Sequence, residues 1–230
     1  DGQLSAGTIN KDLETLRAAL RFWRQEGYVV EVPHVRLLKK PPPRERFLTP
    51  EEVRRLLDHC VEDHLHLFVM LALHTLQRPG AILDLRCEQV DLTGGGGRGR
   101  IDFNPPGRAQ TSKRRPVVPV TETLRPILER AIADSVTGHV VEYMAAPVRK
   151  LRRSFATACA NADLKNVTPY TLRHTGATLL AAAGVPLWQI SGMLGHSLSR
   201  TTEVYAKHCP GFLGDAADGL DRVYAVCTPR

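Results

Sequence analysis

Tyr205 lies in the stretch LGHSLSRTTEVYAKH, with His196, Arg200, Lys207 and His208 around it. A phenol in such company is either a core aromatic with a wet hydroxyl or a nucleophile whose neighbours suit a phosphate. The segment ahead of it bears on that choice. Thr168-Pro169 opens a helix, TPYTLRHTGATLLAAAGVP, whose first turns carry Tyr170, Arg173 and His174 and which Gly184 and Pro186 end. Gly195-His196 follows in a turn. Polar side chains thus gather at helix ends and turns, where free backbone N–H groups also favour an anion.

A phosphodiester carries one negative charge and gains more in a five-coordinate transition state. Guanidiniums can each donate paired hydrogen bonds to its non-bridging oxygens, a role open to Arg173 and to Arg78 in HTLQRPGAILDLR. Either arginine alone could equally serve a surface ion pair. Arg173 amid TLRHT and Arg78 directly before Pro79-Gly80 fit that bland reading less well together. A tyrosine with an ordinary pKa of about 10 is protonated near neutrality, so as a nucleophile Tyr205 needs a base or electrostatic help.

Charge points the same way. The 230 residues carry a formal charge of +7, which favours a polyanionic partner. The positive residues cluster rather than scatter. VRLLKKPPPRER holds five Lys/Arg, among them Lys39, Lys40 and Arg44, against one acid. Arg98 to Arg115 holds Arg98, Arg100, Arg108, Lys113, Arg114 and Arg115 against Asp102 alone, and Arg149, Lys150, Arg152 and Arg153 form a third group. Such clusters read as phosphate-contacting patches, with Lys39, Lys40, Arg44, Arg108, Arg114 and Arg115 as the expected DNA contacts.

Other classes drop away. No apolar run approaches the roughly 18 residues that a membrane span needs, and the start, DGQLSAG, shows no basic-then-apolar leader. Five scattered cysteines without CxxC fit neither a disulfide framework nor a zinc site, and suit a reducing cytoplasm. Nine histidines raise the question of a metal, but there is no HExxH, and His64, His66 and His74 lie along an apolar helix. The GGGG run is not followed by GK[ST], so it is a hairpin turn and not a phosphate loop.

The positioning elements are legible in outline. Ile9, Leu13, Leu16, Leu20 and Trp23 predict an amphipathic helix over Thr8 to Tyr28, stopped near Gly27. The run from 33 to 46, with Pro41-Pro42-Pro43, reads as an extended linker. Thr49, Pro50 and Glu52 open the next helix with a capping box, and HLHLFVMLALHTL is the expected buried core helix. RPGAILDLR is helical; VDL, RIDFN and RRPVVPV, divided by Gly- and Pro-rich turns, predict a small antiparallel sheet of three strands. TETLRPILERAIAD, PVRKLRRSFATACANA, PLWQISGMLG and SRTTEVYAKHC read as further helices, with a weaker one in FLGDAADGLDRV. The fold class is α+β, mostly α.

Thr168 to His208 resembles the C-terminal signature of the tyrosine recombinases, the phage-integrase family: Arg in an HxLRHT-like box, an LGH box about two dozen residues on, and Tyr nine residues later, here Arg173, His196 and Tyr205. HTLQRPGAILDLRCEQVDL is similar to the family's upstream arginine segment and puts Arg78 at that position, while QTSKRRPVVPV supplies Lys113 for the expected hairpin lysine. The similarity runs from about Arg46 to Pro210, and integrases of phages and other mobile elements are the nearest relatives in kind.

The resemblance implies the recombinase catalytic fold over 47–230, with residues 1–32 contributing the last helix of a truncated core-binding domain and 33–46 the linker. It implies attack by Tyr205 on phosphorus to give a covalent 3′-phosphotyrosine, a proton for the leaving 5′ oxygen from Lys113, and a hydrogen bond from His196 to the scissile phosphate. On sequence alone Lys113 is not singled out from Arg114 and Arg115. No cofactor or metal is implied. The partners implied are double-stranded attachment sites, three further copies of the chain in a tetramer on two duplexes joined through a Holliday junction, and DNA-bending or excision factors. The tail after Pro210 reads either as a capping helix or as a segment docked on a neighbouring protomer. The chain departs from the pattern at Tyr170, where relatives carry His; at Ala81, where many carry an acid; and at Leu76, where Gly is usual. With a phenol at 170, the base role falls to a water, His174 or His208, or is dispensable. Two alternatives stand beside the recombinase: a DNA-binding protein that keeps the fold without catalysis, and a relaxing enzyme of type IB topoisomerase character.

Overall fold

The computed structural model of the protein describes residues 4–28, 31–39, 46–94, 96–111, 113–197, 201–209 and 211. The chain divides into two units, Asp1–Glu45 and Arg46–Arg230, a division that falls at the end of the expected linker. In the first unit, α1 (Ala6–Gln25) is capped by Ser5, whose hydroxyl accepts from the Thr8 N–H. Gly27, at φ +81°, stops it while the Tyr28 N–H reaches back to the Trp23 carbonyl. Helix α1 therefore starts and ends earlier than its apolar spacing predicts. Asn10 is buried, and both ends of its amide bond the main chain of Leu38, at 2.8 and 2.7 Å. The stretch that reads as an extended linker is pinned to α1 at Leu38.

In the second unit, α2 (Pro50–Asp58) carries the expected capping box between Thr49 and Glu52. Arg46 adds a paired contact to the same Glu52 carboxylate, at 2.8 and 2.7 Å. Helix α3 (Asp63–Thr75) buries Leu65, Phe68, Val69, Leu71 and Ala72, and α4 (Pro79–Leu83) follows after a sharp corner at Leu76. Then come β1 (Val90–Asp91), β2 (Arg100–Asp102) and β3 (Val117–Pro119), antiparallel in the order β1-β2-β3, with Val90 opposite Ile101 and Ile101 opposite Val118. Ile101 and Val118 are buried while Arg100, Asp102, Val117 and Pro119 are exposed, so the sheet turns one face to the core. Lys113 stands in the long connection between β2 and β3.

After α5 (Arg125–Ala133) a second, two-stranded sheet appears, β4 (Glu142–Tyr143) and β5 (Ala146–Pro147), that the sequence did not reveal. Helices α6 (Arg152–Asn161), α7 (Pro169–Ala182) and α8 (Leu187–Leu194) complete the helical part. Within the expected helix SRTTEVYAKHC, the described residues 201–209 are not α-helical: Glu203–His208 form a 3-10 segment. Thr201, Thr202 and Val204 are β-branched and weaken a short α-helix there. The weak helix expected in FLGDAADGLDRV and the tail's docking lie outside the described residues.

Helix α7 is the hub, packing against α3, α8 and the 3-10 segment. The main core gathers Phe68, Leu71, Leu85, Ile101, Phe103, Leu128 and Leu172, each buried side chain contributing about 1.5–3 kcal/mol. A smaller cluster joins Leu76, Ala177, Ala181, Ile190, Leu194 and Tyr205. This second cluster fixes the ends of α3, α7 and α8 against one another, and the polar residues read from the sequence converge beside it.

Candidate active site

Arg173, in the second turn of α7, is only 6% exposed. Its guanidinium donates to the Leu76 carbonyl at 2.5 Å, to the Leu194 carbonyl at 2.8 Å and to His196 Nε2 at 3.1 Å. These carbonyls are free because α3 and α8 end there: Leu76 and Gly195 both take the left-handed conformation, at φ 58° and 63°. One buried cation thus joins two helix C-termini, and two of its five N–H donors have no partner among the described residues. Burial first and the charge of Arg78 second lower its pKa to about 10, so it stays cationic at neutral pH.

His196 is neutral and its tautomer follows from its partners. Arg173 can only donate, so Nε2 accepts, and Nδ1 carries the proton toward Thr202 Oγ1 at 2.8 Å. Burial, then Arg173, Arg78 and His174 push its pKa down to about 4. His196 therefore shares one electrostatic environment with Arg173, Arg78 and His174. Tyr205 and Tyr170 likewise act on Arg173.

Arg78 caps α4 and donates to the Arg114 carbonyl at 3.0 Å. Gly195 approaches the same carbonyl so closely that a Cβ there would sit 3.0 Å from it and 2.8 Å from Pro116 Cδ. The stem of the Lys113 connection is thereby held against both Arg78 and the LGH turn, and Lys113 itself is exposed.

Tyr205 is 5% exposed, its ring in the smaller apolar cluster and its hydroxyl 2.9 Å from His174 Nδ1. Burial raises the phenol's pKa and the Arg173 charge opposes this. His174 is exposed, and its imidazole pKa is lowered by the protein packed on its inner edge and then by Arg173. His208 shares an edge of the 3-10 segment with Tyr205, yet its ring packs on Phe47, centroids 5.5 Å apart.

The structure brings together Arg78, Arg173, His196 and Tyr205. Tyr170, at the start of α7, is 55% exposed and makes no side-chain hydrogen bond among the described residues. The sequence leaves His174 as one of several candidates for the base and assigns Gln77 no role. Gln77 is buried and its amide nitrogen donates to the Thr75 and Met193 carbonyls at 2.8 and 2.6 Å, tying α3 to α8 directly beside Arg78. A lone glutamine next to an arginine gives no sequence signal for that.

Residues 46–210 match the phage integrase family. The chain belongs to that family. It is 27% identical over 228 residues to the integrase of Salmonella phage P22, a match covering 94% of this chain and 56% of the phage protein. It is 31% identical over 218 residues to the tyrosine recombinase XerA of Thermococcus kodakarensis, covering 87% of this chain and 72% of XerA. The chain thus spans little more than half of the phage relative. Its fold is that of the Tn1549 transposon integrase in complex with circular intermediate DNA, with TM-score 0.74, 20% identity, and coverage of 94% of this chain and 78% of that one.

For this integrase-family chain the expected DNA contacts divide. Arg114 and Lys39 are exposed. Arg115 instead pairs with Asp84 at 2.7 Å, its side chain 18% exposed. Arg108 bonds Asn104 Oδ1 at 2.9 Å and braces its own loop. Lys40 and Arg44 lie outside the described residues. Among the described residues no group of three His, Cys, Asp or Glu is placed to hold a metal ion, and no helix is long and apolar enough to cross a membrane.

Proposed function

We propose that the chain is the catalytic part of a site-specific DNA recombinase that cuts and rejoins strands through a covalent 3′-phosphotyrosine. The single observation that carries this reading is the convergence of Arg78, Arg173 and His196 beside the Tyr205 segment. Arg173 and Arg78 hold the non-bridging oxygens of the scissile phosphate, using donors not committed to carbonyls, and stabilise the charge that grows in the transition state. The Tyr205 oxygen forms a bond to phosphorus as the bond from phosphorus to the 5′ oxygen breaks, and Lys113 protonates that oxygen. His196 redirects its Nδ1–H from Thr202 to a phosphate oxygen. The ester bond to tyrosine keeps the energy of the broken link, so rejoining needs no nucleotide.

The integrase relatives and the DNA complex of the Tn1549 enzyme support attachment-site duplexes as partners. Assembly as a tetramer, integration or excision of a mobile element, accessory bending factors and a cytoplasmic setting belong to the same proposal. So does the assignment of α1 to a core-binding domain, supported by the exposure of Leu16, Phe22 and Trp23 on that helix.

The test is a nicked suicide duplex, its sequence selected by binding from a randomised pool, incubated with the chain and run on a denaturing gel. A covalent adduct that Tyr205→Phe abolishes supports the recombinase. Tight binding with no adduct supports the second reading, a DNA-binding protein without catalysis, which the exposed, unbonded Tyr170 favours. Relaxation of plasmid lacking the selected site would favour the topoisomerase-like reading.

A further inference from the structure

We propose that His174 is the catalytic residue that takes the phenolic proton of Tyr205 as the tyrosine attacks phosphorus. This inference rests on the recombinase reading above and names a group that the family resemblance does not assign. Its first support is contact: His174 Nδ1 is 2.9 Å from the Tyr205 hydroxyl, within direct proton-transfer distance. Among the described residues the phenol has no other hydrogen-bond partner; for the transfer its O–H donates to Nδ1 and the ring proton of His174 sits on Nε2.

The competing groups are engaged elsewhere. Both nitrogens of His196 are bonded, to Arg173 and Thr202. The His208 ring packs on Phe47. Tyr170 stands where a base is expected, yet it is itself a phenol, 55% exposed and without a side-chain hydrogen bond among the described residues. Successive residues of a helix point about 100° apart, which is why Arg173 faces the helix ends while His174, the next residue, faces Tyr205.

The surroundings suit the task. The groups that act on His174 are Arg173 on its own helix, Tyr205 on the 3-10 segment, and His196 on the turn after α8. Burial first and the Arg173 charge second lower the imidazole's pKa, which favours the neutral form that can accept. Its exposure lets the acquired proton pass to solvent. The step balances: the Tyr205 oxygen bonds phosphorus, its proton moves to His174 Nδ1, and the 5′ oxygen leaves with a proton from Lys113. Without an acceptor, a phenol whose pKa is at or above about 10 is ionised to less than about one part in a thousand at pH 7.

The experiment measures single-turnover adduct formation on the suicide duplex, from pH 6 to 9, for the unmodified chain, His174→Ala and His174→Asn. Asparagine keeps an acceptor oxygen for the Tyr205 hydroxyl but cannot take its proton. It decides the matter if alanine does not fold, with folding and DNA affinity checked for each. A second substrate carries a 5′-bridging phosphorothiolate, whose sulfur leaves without protonation. The expected result is adduct from the unmodified chain and a loss of roughly 10²- to 10⁴-fold in both variants. The loss should persist on the phosphorothiolate, where a Lys113→Ala loss should be rescued, and should shrink about tenfold per pH unit as hydroxide ionises the phenol. A variant within threefold of the unmodified rate, a faster variant, or rescue by the thiolate would overturn the assignment. Absence of adduct from the unmodified chain, with DNA bound, would instead sink the recombinase reading and this inference with it.

Discussion

Gly176 on α7 leaves open the space that the Leu76 side chain fills. A Cβ at position 176 would sit 2.2 Å from Leu76 Cδ2 and 2.9 Å from the Leu73 carbonyl. Leu76 holds φ 58° while 1% exposed, a left-handed conformation that costs a leucine about 1–2 kcal/mol. Packing into the Gly176 notch offsets that cost, and the corner at Leu76 in turn aims its carbonyl at Arg173. Gly176→Ala is therefore expected to lower stability by about 1–3 kcal/mol through overpacking. Leu76→Ala should lower it by about 2–5 kcal/mol. In a urea-unfolding double-mutant cycle the pair should cost clearly less than the sum; additivity would deny the coupling.

The two arginines should separate by experiment. Arg173 supplies two buried carbonyls and the half-buried His196, whereas Arg78 has, among the described residues, one bond, to the Arg114 carbonyl. Arg78→Ala is expected to abolish adduct formation and change stability by no more than about 1 kcal/mol. Arg173→Ala should abolish adduct and also destabilise the fold by several times that, about 1–3 kcal/mol for each buried group left unpaired. Denaturation midpoints measured beside adduct yields decide this, and equal midpoints for the two variants would contradict the geometry.

How much of this was readable beforehand depends on distance along the chain. The Thr49–Glu52 capping box lies within one turn and was legible, as were the Gly- and Pro-rich turns that divide β1, β2 and β3. Leu76 looked like a mismatch because its compensation, Gly176, is far away in sequence. The β4–β5 hairpin turns through Met144 and Ala145 at φ 49° and 56°, without the Gly or Asn that marks such turns. Arg115 read as a DNA contact because nothing local announces its pairing with Asp84. The order and spacing of Arg78, Arg173, His196 and Tyr205 mark them as candidates, and the fold brings them together. Which nitrogen of which histidine faces the phenol was not, since that depends on how α7 and the 3-10 segment meet.

Acid should weaken the fold through His196. Its folded pKa of about 4 lies below the ordinary 6.5, so the unfolded chain binds the proton first. Stability is fully present above pH 6.5, falls as pH drops from there toward 4, and levels off below. His64, His74 and His174 shift in the same direction, so the total slope is shared. The slope lost in His196→Asn isolates the one residue. Urea midpoints at pH 7, 5.5 and 4.5 should show a shallower acid decline in the variant, and an unchanged decline would place the strain elsewhere.

Salt dependence should tell the free basic residues from the bonded ones. Each phosphate contact made releases counterions and steepens log K against log salt by about 0.9 on duplex DNA. Arg114 is exposed with its guanidinium unpaired among the described residues, so Arg114→Ala is expected to flatten the slope by nearly one unit and leave the fold intact. Arg115 already holds Asp84 at 2.7 Å, beside the α4 helix that Arg78 caps. Arg115→Ala should change the salt slope little, because the charge it removes faces a carboxylate, and should instead loosen the connection that carries Lys113. Fluorescence anisotropy at four salt concentrations separates the two outcomes. A full unit of slope lost at Arg115, with Arg114 silent, would exchange their roles and turn that face of the hairpin toward DNA.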